Sequence, residues 1–384
     1  MFAKKIFIML AAISLLFLYA CGPKAMAPKA ELDTPEHHVV NGNKLMKAGK
    51  IDVAFREFNR AKELNPKFSP AYVGLGLVEG LRADFNNSLK TMKEARKYAQ
   101  GDEQKIAVNV GFIRLYIMGK TNIDENWLKL VEEEFDKAVL ISKDVSEPYF
   151  YMGLAYKISY KFRQAEDQFS KVLELGNGYI AEADKEYALV QKIERAMPGS
   201  KIGKKIALVE EITRADVAAL FIEELKVDKI FKKRFSKKFD SAFKSPENKL
   251  ETETSVKILP ATDIDDHVLK ADIDAVIEIE IKGLQPFPDH TYKPYQTITR
   301  AEFAMMIEDI LIKLTGVDDL ATRFIGSVSP FPDLRNDLPY FNAVMICTTR
   351  GIMVANLATG EFDAIGPVSG ADALLSIRSL KSQL

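Results

Sequence analysis

A pattern of small and large apolar residues recurs about every thirty-four positions in the first half of this chain, and it restricts the fold more than any other feature. Ala54, Phe58, Ala61 and Pro66 set the spacing of one helix, and Gly42, Leu45 and Gly49 take the small, large and turn places of the helix before it. The pattern returns where Tyr72, Leu75 and Gly76 lead to Met92 and Ala95, and again where Tyr149, Met152, Gly153 and Tyr156 lead to Ala165, Phe169 and Val172. Between them lies a looser copy, with Gly111 in its first helix, Phe135 and Ala138 in its second, and an insertion around Thr121 to Asn126. The spacing predicts four helical hairpins, over residues 35–68, 69–102, 103–145 and 146–179. Small residues let two antiparallel helices approach, large ones fill the hole beside them, and each hairpin leaves an apolar face that only a neighbour can cover. Ile180 to Met197, with charges at Glu182, Asp184, Lys185 and Glu186 and apolar Ala188, Leu189 and Ile193, is expected to be the capping helix.

These positions resemble the tetratricopeptide repeat, over residues 35–197 including the cap. The resemblance implies an α-solenoid whose concave surface takes a peptide or partner protein; the other reading is a spacer. Tyr72, Tyr149 and Tyr156 are equally expected as groove contacts and as repeat core.

The amino end carries Lys4 and Lys5, then an apolar run from Ile6 to Leu18 broken only by Ser14. That run is too short to span a bilayer as a helix, and the arrangement is that of a cleaved export signal. Leu18-Tyr19-Ala20-Cys21 resembles the lipobox of bacterial lipoproteins, with Tyr19 an unusual occupant of the variable place. The resemblance implies a signal peptide over residues 1–20, acylation of Cys21 and attachment to a membrane outside the cytoplasm. Several acyl chains, at about 0.8 kcal/mol per buried methylene, hold a protein far more firmly than one. Gly22 in place of an acidic residue implies sorting to the outer membrane, facing the periplasm. Pro23, Pro28 and Pro35 among lysines and alanines make residues 21–34 a tether. The second cysteine, Cys347, sits among Met345, Ile346 and Thr348 and is expected to be buried, so no intramolecular disulfide forms if Cys21 is acylated.

The character of the chain changes after Met197-Pro198-Gly199-Ser200. Ile212-Thr213-Arg214-Ala215-Asp216 and Ile298-Thr299-Arg300-Ala301-Glu302 both place a threonine cap three residues before an acid, the relation of a capping box. Val368-Ser369-Gly370-Ala371-Asp372 keeps the cap and the acid but lacks the arginine. Asp263 to Asp266 and an amphipathic helix reaching Ile281 and Gly283 precede Phe287-Pro288-Asp289 and Tyr292-Lys293-Pro294. Phe331-Pro332-Asp333, a helix through Tyr340, Ala343 and Ile346, and Gly360-Glu361-Phe362 precede the third signature.

Residues 201–384 thereby resemble the S-layer homology module, which attaches bacterial proteins to the cell wall. The resemblance implies a helical domain with short loops, three units around a pseudo-threefold axis, and carbohydrate in grooves where the signature arginine meets an anionic substituent. A guanidinium beside a helix N-terminus offers paired donors and a favourable field for a carboxylate. Arg214 and Arg300 are the candidate binding residues, with Asp265 and Asp333 as helix-start partners by analogy; structural ion pairing is the alternative role for both arginines. The first unit departs from the family pattern in lacking a leading helix. A basic insertion over residues 226–260 follows it, where Phe231, Phe235, Phe239 and Phe243 recur every fourth residue among lysines. That helix either packs its phenylalanines on the domain or adheres to an anionic membrane or polymer.

With 53 basic against 54 acidic side chains the chain has no surplus charge that points to nucleic acid. The four histidines, His37, His38, His267 and His290, show no metal-ligand spacing, and neither a phosphate loop nor a nucleophile elbow is present. No catalytic residue, metal or cofactor is expected. The fold class is mainly α, and two functions fit: a lipoprotein tether from membrane to peptidoglycan or a secondary cell-wall polymer, or a scaffold for an envelope or export assembly in which the second half is mainly structural.

Overall fold

The computed structural model describes residues 25–235 and 260–384, so the segment that ends in Cys21 and most of the basic insertion lie outside the described residues. Among the described residues the fold is all helical, with sixteen α-helices and only isolated β-bridges. Two compact units divide the chain, up to Tyr187 and from Ala188. The division falls inside the helix expected as the cap, before the Met197-Pro198-Gly199 break.

The first unit contains four hairpins: α1 (Pro35–Lys47) with α2 (Ile51–Leu64), α3 (Ser69–Leu81) with α4 (Phe85–Tyr98), α5 (Gly101–Gly119) with α6 (Trp127–Ile141), and α7 (Ser146–Ile158) with α8 (Phe162–Leu175). Turns of a few residues force the two helices of each pair to run antiparallel. Each first helix also packs on the first helix of the next hairpin. Phe58 explains why the small positions matter. Its ring is fully buried, and a Cβ added at Gly42 in its own hairpin or at Gly74 in the next would lie 2.6 or 2.3 Å from a ring atom. Gly153 meets Phe169 in the same way at 2.6 Å. Tyr72 and Tyr149 are core residues, their hydroxyls donating to Pro66 O at 2.7 Å and Lys143 O at 3.2 Å. Tyr156 is half-buried, and its phenol is pushed up to about 12 by burial and by Glu132.

The third hairpin departs from the others. Phe135 is only half-buried, and the neighbouring Glu134, 4% exposed, accepts from Arg96 and Lys137. In the expected cap, α9 (Ile180–Ala196), the buried face is Ala183, Val190, Ile193 and Ala196, while Ala188 is exposed.

Residues 26–33 are strapped to α2 by charge. Arg60 donates to Asp33 through Nε at 3.0 Å and Nη2 at 2.5 Å, and the Met26 amide donates to Glu63 O at 2.8 Å. Arg60 and the Lys29 amide hold the Asp33 carboxyl well below the usual carboxylate range. His38 lies between Glu57, 2.7 Å from Nδ1, and Asp33, 2.8 Å from Nε2. A neutral imidazole carries one N–H, so only the protonated ring donates to both carboxylates. Burial opposes that charge, but the bonds to Glu57 and Asp33 outweigh it and raise the His38 pKa above its ordinary 6.5.

The second unit begins with the end of α9 and continues through α10 (Lys201–Ile206), α11 (Arg214–Leu220) and its π-helical extension Phe221–Leu225, then α12 (Val227–Phe235). After the insertion come α13 (Lys270–Glu278), α14 (Arg300–Thr315), α15 (Phe341–Thr349) and α16 (Gly370–Lys381). The first signature does have a leading helix, contrary to expectation: α10 is six residues long, and a loop of a few residues joins it to α11. Its start is capped by Ser200, and Glu224 accepts from the Gly199 and Ser200 amides. Of the insertion, Phe231 is described and is 8% exposed, which favours packing for that ring; Phe239 and Phe243 lie outside the described residues. Cys347 is fully buried as expected, and burial raises its thiol pKa.

Two outcomes are expected. Phe58→Ala costs about 3–5 kcal/mol, because it empties a site shared by two hairpins, and the urea midpoint measures it. The folded pKa of His38 is raised, so its stabilisation is complete below pH 6.5 and is lost as pH climbs through the folded value. Stability measured across that range falls for the wild type, and His38→Gln removes this part of the fall.

Candidate functional site

The first residues of an α-helix have amides with no partner inside the helix. In α11 and α14 the capping boxes supply part of the answer: Thr213 with Asp216 and Thr299 with Glu302 are reciprocal, and Ser369 accepts from the Asp372 amide in α16. The next unit's loop supplies the rest. Arg214 N donates to Gln296 O at 2.9 Å, Arg300 N to Gly366 O at 2.9 Å, and Gly370 N to Val209 O at 2.9 Å. The three signatures therefore hand their first helical amide round in a closed cycle. Ile212 N to Val368 O at 2.9 Å and Ile298 N to Ile212 O at 3.2 Å tie the same three turns at their buried residues.

The arginine side chains follow the same cycle. Arg214 donates through Nε to Tyr292 O at 2.8 Å, through Nη1 to Gly283 O at 2.6 Å and through Nη2 to Gln285 O at 3.0 Å. Its guanidinium lies 4.8 Å from the Phe287 ring centre and 4.7 Å from that of Tyr292, whose hydroxyl returns a bond to Arg214 O at 3.2 Å. Arg214 is 6% exposed, and burial lowers its pKa. These contacts make it a fastener of the second loop.

Arg300 repeats the pattern one unit on, with Nε to Phe362 O and Nη2 to Val354 O, both at 2.8 Å, and the Phe362 ring centre 4.6 Å away. It is half-buried, and its Nη1 makes no hydrogen bond among the described residues. Burial lowers its pKa, while Asp372, Asp363 and Asp333 act the other way. Beside it opens a cleft of about 160 Å³ lined by Met353, Val354, Asp372, Ser376 and Ser379. Lys192 closes on Asp372 at 2.8 Å. This cleft offers one guanidinium edge and two hydroxyl-bearing residues to an anionic or hydroxylated ligand.

The third position differs for a steric reason. A Cβ on Gly370 would lie 1.7 Å from Ile206 O and 2.6 Å from Ile206 C. The short loop before the first signature brings the backbone at the end of α10 into the place an arginine would fill.

Asp265 and Asp333 are not equivalent. Asp333 accepts the amides of Phe362 at 2.9 Å and Asp363 at 2.7 Å. The residue that does this in the second unit is Asp263, which accepts from Tyr292 at 2.7 Å and Lys293 at 2.8 Å. Asp265, 80% exposed, pairs with Lys270 on the surface. The signal for Asp263 was present as spacing: each aspartate lies 29 residues before its aromatic partner. Neither Asp263 nor Asp333 caps a helix; both pin the loop that receives an arginine.

No group of three or more His, Cys, Asp or Glu side chains that could hold a metal occurs among the described residues. No helix among them is long and apolar enough to cross a membrane. No protein-family model matches this chain, and no curated protein matches it.

Removing Arg214 leaves three loop carbonyls without their donor, so Arg214→Ala is expected to cost about 3 kcal/mol, and Arg300→Ala about half as much. Arg214→Lys restores little, since one ammonium cannot reproduce the planar fork. Urea denaturation of the three variants checks the order.

Proposed function

We propose that this chain is an envelope lipoprotein, anchored through acylated Cys21, that attaches to peptidoglycan or a wall-linked polymer through residues 201–384 and presents the helical hairpins to a partner protein. The observation that carries the reading is the cleft at Arg300, where a signature arginine keeps an unbonded Nη1 beside Ser376 and Ser379. A charge-assisted bond from a guanidinium to a carboxylate is among the stronger polar contacts, which suits an acidic substituent on a glycan. The resemblances of residues 35–197 to tetratricopeptide repeats and of 201–384 to S-layer homology units support the same assignment. Among the two intact signatures, Arg300 is the ligand-facing residue and Arg214 the structural one.

A second reading has its own support. Arg214 is consumed by loop carbonyls, and Gly370 leaves no room for an arginine. On that reading the second half is a framework and the protein is a scaffold of an envelope or export complex.

The tether reading predicts that purified protein cosediments with isolated sacculi and that Arg300→Ala weakens this by about tenfold while the fold is kept. Sedimentation that Arg300→Ala leaves unchanged removes the arginine from the mechanism. Failure of the wild type to sediment favours the scaffold.

A further inference from the structure

The second unit holds another cleft, of about 450 Å³, which shares no residue with the one at Arg300. That volume is in the range of small-molecule sites. Asp228, Phe231 and Lys232 lie three and four residues apart on α12, and Ala275, Glu278 and Ile279 repeat the spacing at the end of α13. Residues so spaced share one face of a helix, so the cleft is bounded by two such faces. α12 packs against α14, and the space is left between α12 and the end of α13. Phe231, Ala275 and Ile279 make its apolar wall.

Asp228 makes the cleft more than a dent. Its Oδ1 is buried from water and has no hydrogen-bond partner. One side of the carboxylate is thereby stripped of solvent with nothing in its place, which is costly for a charged group. The second oxygen is not so enclosed, and a positively charged donor that reaches it compensates the whole group.

The surrounding charge has the same sign. Glu278 and Glu280, both exposed, also line the cleft. Lys313 adds little, since it is set against Asp309 at 2.8 Å and donates to Glu280 O. Lys232 then stands against three carboxylates. Glu278 is the last residue of α13, where the helix dipole adds partial negative charge. A cation is favoured on every one of these counts. An inorganic ion gains nothing from Phe231, Ala275 and Ile279, whereas an organic one with an apolar body buries that body against them. Of the organic cations, a primary ammonium brings three N–H donors to Asp228, and a quaternary one brings none.

We propose that this cleft binds a primary organic amine in its ammonium form: the apolar body lies against Phe231, Ala275 and Ile279, the ammonium donates to Asp228, and Glu278 and Glu280 face its charge. The site is independent of Arg300 and of wall attachment.

The test is an NMR titration of the full chain, labelled with ¹³C at the isoleucine methyls, with phenethylamine at neutral pH. The Ile279 methyl, assigned from the Ile279→Val spectrum, is expected to shift saturably with a dissociation constant below about 1 mM. Phenethyl alcohol, which keeps the ring and loses the charge, is expected to bind about tenfold more weakly. The trimethylated ammonium keeps the charge without the donors and is expected to lose about fivefold. Asp228→Asn is expected to cost about tenfold in affinity, and Glu278→Gln, at an exposed position, about twofold, with the circular dichroism of both matching the wild type. The proposal is overturned if Ile279 shows no saturable shift, if phenylpropionate or phenethyl alcohol binds as tightly as the amine, if the trimethylated ammonium binds more tightly than the primary one, or if Asp228→Asn and Glu278→Gln both bind as the wild type does.

Discussion

An α-helix cannot satisfy its own first amides, and the second unit of this protein is organised around that deficit. Each of the three signature helices gives its leading N–H to a carbonyl in the following unit, and the last gives it to the first. Two arginines extend the exchange from main chain to side chain, binding carbonyls of the receiving loops. Once those loops are held, Tyr292 and Phe362 are buried and the helices behind them have a surface to pack on. The cycle is therefore both the scaffold of the domain and the setting in which Arg300 keeps an unbonded Nη1 beside a cleft.

The first unit rests on a different constraint, the distance of closest approach between backbones. Phe58 occupies space that exists only because Gly42 and Gly74 have no side chain. This was legible in the sequence as periodicity, since the small and large places are set by packing between neighbours close in the chain. The third hairpin was harder to read. There Glu134 lies inside and Phe135 is only half-buried, because Arg96 and Lys137 compensate the buried carboxylate, and no apolar pattern records an ion pair reaching across from another helix.

The site was legible in kind but not in role. The paired signatures brought attention to Arg214 and Arg300, yet what each one touches depends on loops roughly 60–80 residues away, which local patterns do not encode. Asp263 and Asp265 lie in one acidic run, and only the geometry of the receiving loop separates a surface pair from a carboxylate with two amide bonds. Gly370, which looked like a lost arginine, is a position where the chain needs the absence of a side chain.

That glycine also gives the ring a seam. The contact between Ile206 and Gly370 joins segments roughly 160 residues apart, so on a growing chain it forms last. The earlier units can pair their loops while synthesis continues, but the amide of Ile212 finds Val368 only after nearly the whole domain has emerged. Closure is thus a late, single event set by the arrival of α16, and the order of assembly is written into one missing methyl group.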